Sequence, residues 1–578
     1  MCQTSPLKME MAQTQQAEEL EPHTFLAFVP PKGDVCLINN LPPELLGHIF
    51  ELGSADDGIE DIPPKDDRKM ANAKDIHDHD AEVKEDENEE GDKEEFGDKD
   101  ESSQVSLPFR FVVPQVCRHW RNIAMSTPAL WTTIEVTSAT RPPYEAVSML
   151  LERSKSLPID LYLYCAFYKV KDDMEPLSDA DLRFLFAMLI PHIHRWQTIV
   201  VSLRVCQLMY TFLCAVSDPA IPAAPRLTAV ELYDYEDIAH FDNSPYPSIS
   251  KHLTLFGGSA PLLTTIVLWG VHVDWDQPWI SSASNLADLE LAFHSEDVRP
   301  SWAQISTILR SPSALQKLTL RKSGPSGDPA GWLAVGCPTN PSAPIQLPHV
   351  TDFGVIFHSQ AHAIGLLRKF CLPALKSLVL GFYDDDYTDL VHELAGPATS
   401  LSLAQEPRSL LSGLESLKIA GLPCRTECVE TLYSELRNLT SLNISLVFLD
   451  QLFLDILSTP CTLPERGDIW LPRLVTLRVS GAFVSTLRDL VSTRRELGVP
   501  LSSLYVEKRC YVLDEDAEWF KENLETFELF DGSEDADYDE LDEEYDGDDV
   551  DMDEEYDGDD IDMDEEVDDD DIDDWSDT

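Results

Sequence analysis

The chain has 578 residues, 43% of them hydrophobic, and a formal net charge of −62. That is length enough for several ordinary domains or for one elongated array, with ample apolar material for a core. An acidic chain of this kind excludes direct nucleic-acid binding, which needs clustered Lys and Arg on one surface.

The charge is not evenly spread. The segment 55–101 carries 21 acidic against 7 basic residues, and 531–578 carries 30 acidic and no basic residue. Self-repulsion and scarce apolar side chains predict that both are disordered. The first twenty residues lack a basic stretch followed by an apolar run, and the apolar stretches Leu182–Ile190 and Ile444–Leu457 are too short or too interrupted by charge to span a bilayer. The expectation is an intracellular protein, cytoplasmic or nuclear, with no membrane partner. The 12 cysteines are scattered, no Cys-x-x-Cys occurs, and Cys424 and Cys428 have no histidine nearby, so reduced thiols are expected.

In chain order, residues 1–37 give no element, and the first pattern lies in 38–135. Within Ile38–Leu52, Asn40 suits a cap and Pro42 a first helical turn. Leu45, Ile49 and Leu52 then fall at i, i+4 and i+7, on one apolar stripe. An acidic insert over 53–105 follows. A second helix is predicted after Pro114, with Val116, Trp120, Ile123 and Ala124 on one face, and Thr127–Trp131 reads as a turn returning Trp131 to the helices. Loop closure costs only about 0.6 kcal/mol per doubling of a flexible loop, so the two helices can pair across the insert.

Leu41-Pro42-Pro43-Glu44, Ile49-Phe50, Val116-Cys117-Arg118-His119-Trp120-Arg121 and Leu130-Trp131 stand in this order. Together they resemble the F-box, in the version abundant in mushroom-forming fungi. The resemblance covers about a tenth of the chain and departs from the family in the acidic insert, where a standard F-box is continuous. It implies docking of a Skp-type adaptor subunit on a cullin scaffold, through Leu41, Pro42, Leu45, Ile49, Phe50, Val116, Cys117 and Trp120, with Trp131 as an anchor. A plain helical cap on the following array is the alternative reading of the same residues.

Over 136–512 an apolar-x-x-apolar-x-apolar pattern recurs. Examples are Trp196/Ile199/Val201, Leu286/Leu289/Leu291, Leu375/Leu378/Leu380 and Leu501/Leu504/Val506, eleven occurrences in all, spaced 23 to 39 residues apart. In a strand, the last two apolar residues of the pattern point into a core and the residue between them faces out. Helical periodicity fills the intervals, as in Val429, Leu432, Tyr433 and Leu436, or Val484, Leu487 and Val491. Ile159–Leu163 is a candidate earlier strand.

This alternation resembles the leucine-rich repeat, in which no single unit buries its own apolar face. The Asn or Cys that ladders the turns of regular repeats is mostly missing; Trp269-Gly270, Ala292-Phe293 and Gly381-Phe382 stand there instead. The fold expected is therefore α/β: a small helical F-box-like module, an irregular leucine-rich-repeat solenoid over 136–512, and an acidic disordered tail over 513–578. A globular α/β domain with a parallel sheet is the alternative. The residues between the inward positions form the candidate substrate face: Glu231, Val267, Glu290, Thr319, Gly354, Val379, Lys418, Asn443, Arg478 and Tyr505. Of these, Glu231, Glu290, Lys418, Asn443, Arg478 and Tyr505 offer the chemistry to hold a protein.

No phosphate loop, nucleophile elbow or His-Glu-x-x-His occurs. His77, Asp78, His79 and Asp80 lie in a solvated charge run, His192 and His194 end an apolar helix, and Asp384-Asp385-Asp386 follows a strand as a surface loop. An 11-residue repeat, 542–552 and again 553–563, lacks the helix–loop–helix frame that a calcium loop needs. No catalytic residue, metal or cofactor is expected. The leading functional expectation is substrate recruitment for ubiquitination, with an acidic factor for histones or other basic proteins, and a scaffold outside any ligase, as alternatives.

Overall fold

A computed structural model describes residues 37–55, 108–137, 140–165, 177–203, 205–235, 253–281, 283–332, 344–382, 385–397, 408–446, 449–459 and 469–530. The expectations for the N-terminal 36 residues, the acidic insert and the run beyond 530 lie outside these residues. The described residues divide into two compact units, one ending at Leu375 and the other beginning at Lys376.

The first unit opens with helices α1 (Pro43–Ala55), α2 (Phe109–Val116) and α3 (Arg118–Ser126), then a 3-10 turn, Pro128–Trp131. Eight strands follow: β1 (Thr133–Thr137), β2 (Ile159–Tyr164), β3 (Trp196–Leu203), β4 (Ala229–Asp234), β5 (Thr265–Trp269), β6 (Asp288–Ala292), β7 (Lys317–Arg321) and β8 (Asp352–Ile356). Each pairs in parallel with the next, in sequence order. A separate two-residue pair joins Ile345–Gln346 to Phe370–Cys371.

The second unit continues the rule with β9 (Ser377–Gly381), β10 (Ser416–Ile419), β11 (Ser441–Ser445), β12 (Thr476–Ser480), β13 (Ser503–Glu507) and β14 (Thr526–Phe530). Helices return the chain between many of the strands, including Thr426–Glu435 and Val484–Glu496. Both units are thus mixed α/β with purely parallel strands. All eleven predicted strands are present, and the inward pairs, such as Leu289/Leu291 and Leu477/Val479, are fully buried.

Three boundaries differ from the sequence reading. The predicted second helix is two helices, because Cys117 is extended (φ −157°, ψ 169°) and its Sγ accepts from the Trp120 amide, capping α3. Pro114 lies inside α2 instead of before a helix, and its carbonyl accepts from Arg121 Nε. The tail does not begin at 513: Asp514–Asn523 is a helix, Thr526–Phe530 is β14, and Phe520 is buried. The reason is apolar content, since Leu524, Phe527 and Leu529 repeat the strand pattern once more. At the other end, Trp131, Ile134 and Val136 do the same for β1.

Several strands leave the sheet through the same turn. The second residue after the last inward position adopts a left-handed backbone: Gly270 (φ +64°), Phe293 (+52°), Lys322 (+44°), Phe357 (+58°) and Gly481 (+70°). Amides in this turn donate to the next repeat, as Phe293 N does to Arg321 O and Lys322 N to Ile356 O. The following residue then turns inward. In three consecutive repeats it is His294, Ser323 and His358: His294 Nδ1 lies 2.7 Å from Ser323 Oγ, and His358 Nε2 lies 3.2 Å from Leu320 O. Histidine and serine thus hydrogen-bond between neighbouring repeats here.

Gly421 occupies the same turn at φ +152°, where its carbonyl accepts from the Phe382 amide (2.9 Å) and a Cβ would land on the Phe382 carbonyl oxygen. Gly421→Ala combines that clash with a backbone few L-residues adopt, so it costs about 2–4 kcal/mol and lowers the unfolding midpoint in a denaturant titration.

Burial governs the histidines. It holds His294 down to about 3 and His362, stacked 4.8 Å from His358, down to about 4; His358 lies well below its ordinary value for the same reason, with His362 and Arg299 adding to it. These groups are depressed in the folded state, so the stability they leave intact is present above about pH 6.5 and is lost as pH falls toward 3–4. The unfolded chain takes up the protons first. Chemical denaturation between about pH 7 and pH 5 should therefore show stability falling with pH, and in the His294→Asn, His358→Asn double variant that fall shrinks by about 4 kcal/mol, about 2 for each histidine.

Candidate functional site

Two surfaces carry the predicted site residues. The first lies on the helical module. Leu46 and Phe50 on α1, Val113 on α2, Ile123 and Ala124 on α3, and Leu130 and Trp131 form its core. The Phe50 and Trp120 rings lie 5.0 Å apart, Trp120 Nε1 donates to Asn39 Oδ1 (2.8 Å), and Trp131 Nε1 donates to Ala124 O (3.0 Å). A Cβ at Gly53 would stand 2.5 Å from the Phe109 ring, so α1 and α2 approach closely in spite of the insert between them. Arg110 pairs with Glu135 of β1 (3.1 Å), and the Arg153 guanidinium sits 4.7 Å over the Trp131 ring, which ties the module to the strands behind it.

The predicted stripe is real but faces outward. Leu45 is 52% exposed, and Ile49 and Leu52 on α1 are exposed with it. On α2, Val112 and Val116 are exposed as well, and Pro42 is open to solvent ahead of α1. The core stripe is its neighbour on the helix: Leu46, Phe50 and Gly53. Phe50 is therefore corrected from a docking residue to a core residue, at 0% exposure. Trp131 is buried, as expected for an anchor. Leu41, Cys117 and Trp120 are half-buried, Cys117 as the cap of α3.

The second surface is the face of the strands opposite the inward pairs. Within each unit the register places the predicted residues in a row: Glu231, Val267, Glu290, Thr319 and Gly354 in the first unit, and Val379, Lys418, Asn443, Arg478 and Tyr505 in the second. The two rows differ in kind. In the first unit Tyr162, Val200, Tyr233, Val267, Trp269, Ala292 and Phe293 form a packed cluster, with Tyr164, Tyr235 and Phe357 half-buried against it. Trp269 lies 5.6 Å from Tyr233 and 5.3 Å from Phe293.

Glu290, expected to face solvent, is only 3% exposed. It accepts from Trp269 Nε1 (3.0 Å) and lies 3.8 Å from Arg321, whose guanidinium caps the Trp269 ring at 5.3 Å. Val267 and Thr319 are buried too, and Gly354 sits beneath the Thr319 side chain. Glu231 is half-buried and accepts from Tyr233 (2.9 Å), whose hydroxyl is pushed far up by burial and then by Glu231. Around Glu231, Val267 and Glu290 one feature recurs. The residue after the last inward position is aromatic (Tyr164, Tyr233, Trp269), and it closes over the row. That signal was present in the sequence as Leu-Tyr and Leu-Trp pairs.

In the second unit the same position holds Gly381, Ser445 and Ser480. Val379, Lys418, Asn443, Arg478 and Tyr505 consequently stay half-exposed. Beside them runs a second row in register, Ser377, Ser416, Ser441, Thr476, Ser503 and Thr526. The open face is polar, hydroxyl-rich and carries two cations.

Among the described residues no group of His, Cys, Asp and Glu could hold a metal ion, and no helix is long and apolar enough to cross a membrane. His77 to Asp80 and Asp384 lie outside the described residues; Asp386 Oδ1 accepts from the Thr388 amide at the start of a helix. No protein-family profile matches the sequence, and no curated protein is significantly similar to it. Among solved structures the chain is similar to the leucine-rich repeat-containing protein LegL7 from Legionella pneumophila, with 13% identity and a TM-score of 0.23 over 69% of this chain and 91% of that one.

The contrast between the two rows has a direct consequence. Trp269→Ala removes a packed indole and costs about 3–5 kcal/mol, whereas Tyr505→Ala, on the open face, changes stability by about 1 kcal/mol or less in the same urea titration.

Proposed function

We propose that the chain is a non-catalytic adaptor of a cullin-RING ubiquitin ligase. In this reading the F-box-like module docks a Skp-type subunit, and the leucine-rich-repeat array holds a protein substrate. The observation that carries the proposal is the pairing of a complete internal core with a separate, exposed apolar stripe. Leu46, Phe50 and Trp131 already satisfy the module, yet Leu45, Ile49, Leu52, Val112 and Val116 remain in water. Burying one such side chain is worth roughly 1.5–3 kcal/mol, so a matching apolar surface gains enough for a stable complex. Transfer chemistry then belongs to the partner enzymes.

The substrate is assigned to the open half of the strand face, where Lys418, Asn443, Arg478 and Tyr505 combine charge, amide and aromatic character. Glu290 leaves the substrate surface in this account because its carboxylate is consumed by Trp269 and Arg321.

Leu45→Asp combined with Ile49→Asp should abolish capture of purified Skp-type subunit, a loss of at least about 3 kcal/mol of binding free energy. Both side chains point to solvent, so circular dichroism and the denaturation midpoint should stay as in the parent chain. Unchanged capture in a calorimetric titration, with the fold intact, removes the ligase reading.

A further inference from the structure

We infer that the strand face of β1–β4, in the first unit, recognises an extended basic segment of a partner protein, taking its arginine or lysine side chains against tyrosine rings and carboxylates. This surface is additional to the one assigned to the substrate, and it stands whether or not a Skp-type subunit docks.

The register places the same side of these four strands in three short rows. From β1 to β4 they read Thr133, Asp160, Thr198, Ala229, then Glu135, Tyr162, Val200, Glu231, then Thr137, Tyr164, Ser202, Tyr233. Three of these residues are carboxylates, three are tyrosines, and none is Lys, Arg or His. The carboxylates converge on one ring. Tyr162 is pushed up to about 12 by burial, then by Asp160, Glu231 and Glu135. Burial also raises Asp160, against the hydrogen bonds that it receives from Thr198. A cation on this face therefore relieves a cost already present in the folded protein. The cations that reach it from other elements do not cancel the charge. Arg110, from α2, pairs with Glu135 (3.1 Å), and Arg141 faces Cys165 and Tyr144 past the strand ends.

The rings make the face specific for a side-chain cation. Tyr162 and Tyr164 lie 6.0 Å apart, and Tyr233 and Tyr235 stack at 6.0 Å; Tyr164 and Tyr235 are half-exposed. The face of a tyrosine ring attracts a guanidinium or ammonium group. The same unit already seats an arginine in this way: Arg321 lies 5.3 Å over the Trp269 ring and 3.8 Å from Glu290.

Spacing sets the form of the partner. Strands stand about 4.8 Å apart, so β1 and β4, with Glu135 and Glu231, are roughly 14 Å apart. In an extended segment, side chains i and i+4 point the same way and are also about 14 Å apart, at about 3.4 Å per residue. Such a segment, crossing the strands, brings one cation to Glu135 and Asp160 and a second to Glu231. It lays residue i+2 over Tyr162 and Val200.

Two blocked peptides of one composition, Arg-Ser-Leu-Ser-Arg and Arg-Arg-Ser-Leu-Ser, test this on the full chain. Equal charge gives both the same attraction to acidic residues elsewhere, so only the spacing separates them. In calorimetric titrations at about 0.1 M salt, the spaced peptide should bind about fivefold more tightly. Glu135→Gln combined with Glu231→Gln should remove that preference, whereas Asp514→Asn combined with Glu515→Gln, on the helix Asp514–Asn523, should keep it. With benzoylphenylalanine in place of the central leucine, photocoupling of the parent chain should join the spaced peptide to β2–β4, as mapped by mass spectrometry. Equal affinities of the two peptides, a preference that survives the Glu135, Glu231 variant, or adducts confined to other elements would each overturn the inference. If that variant fails to fold by circular dichroism, the peptide comparison and the photocoupling on the parent chain decide. No Skp-type subunit enters the measurement, so its outcome is independent of the ligase reading.

Discussion

Each strand of this protein presents two inward apolar residues, two positions apart, to a neighbour that does the same, and neither strand has another way to bury them. Parallel pairing in sequence order follows, because only the next repeat brings an equivalent pair to the same height. The left-handed turn after six of the strands, at Gly270, Phe293, Lys322, Phe357, Gly421 and Gly481, follows in turn. It lets the chain leave the sheet at a fixed height, where its amides donate to the next repeat's carbonyls, as Phe293 does to Arg321. Placing Phe293, Lys322 and Phe357 in that backbone costs roughly 1–2 kcal/mol apiece. For Phe293 and Phe357, 5.7 Å apart, the ring packing that results offsets the cost.

Two buried arginines express the same constraint at the helix ends. Arg195 donates to Leu151 O, Leu157 O and Ser154 Oγ, at the close of the helix Glu145–Arg153, and Arg494 donates to Trp470 O and Leu471 O. Both are almost completely buried. Carbonyls that a repeat leaves unpaired are as costly to bury as a lost hydrogen bond. A guanidinium, with five donors in a fixed plane, satisfies several at once. Desolvation lowers both arginines, Arg494 to about 10, which still leaves it charged near neutral pH.

The strand register, and with it the composition of the binding row, was legible from the spacing of apolar residues alone, since Leu417/Ile419 and Leu442/Ile444 admit only one alignment. Solvent access was not. Whether a row residue faces water depends on its neighbour one strand over and two residues on, a relation that needs the sheet to exist. Glu290 and Lys418 are equivalent in the pattern. Trp269 and Arg321 close over Glu290, whereas the residues flanking Lys418 are small. In the helical module the sequence located the apolar stripe but not its direction: Leu45 and Leu46 are adjacent and both apolar, and only the arrival of α2 and α3 decides which is core. The strands β1 and β14 were legible in principle, in Trp131/Ile134/Val136 and Leu524/Phe527/Leu529. They went unread because the first adjoins the helical module and the second adjoins acidic residues.

That adjacency in α1 is the strongest physical argument for a partner. A helix with one apolar stripe needs one surface; α1 carries two, side by side, and the module uses the Leu46, Phe50 and Gly53 side completely. The Leu45, Ile49 and Leu52 side stays exposed along α1, and α2 exposes Val112 and Val116 as well. Isolated apolar residues on a surface need no explanation, whereas a contiguous patch rimmed by polar groups marks an interaction site. The rim is present here in Glu44, His48 and Glu51, which flank the stripe on α1 and hold it away from self-association by charge and hydration. Net acidity works the same way at longer range, because a chain at −62 repels its own copies.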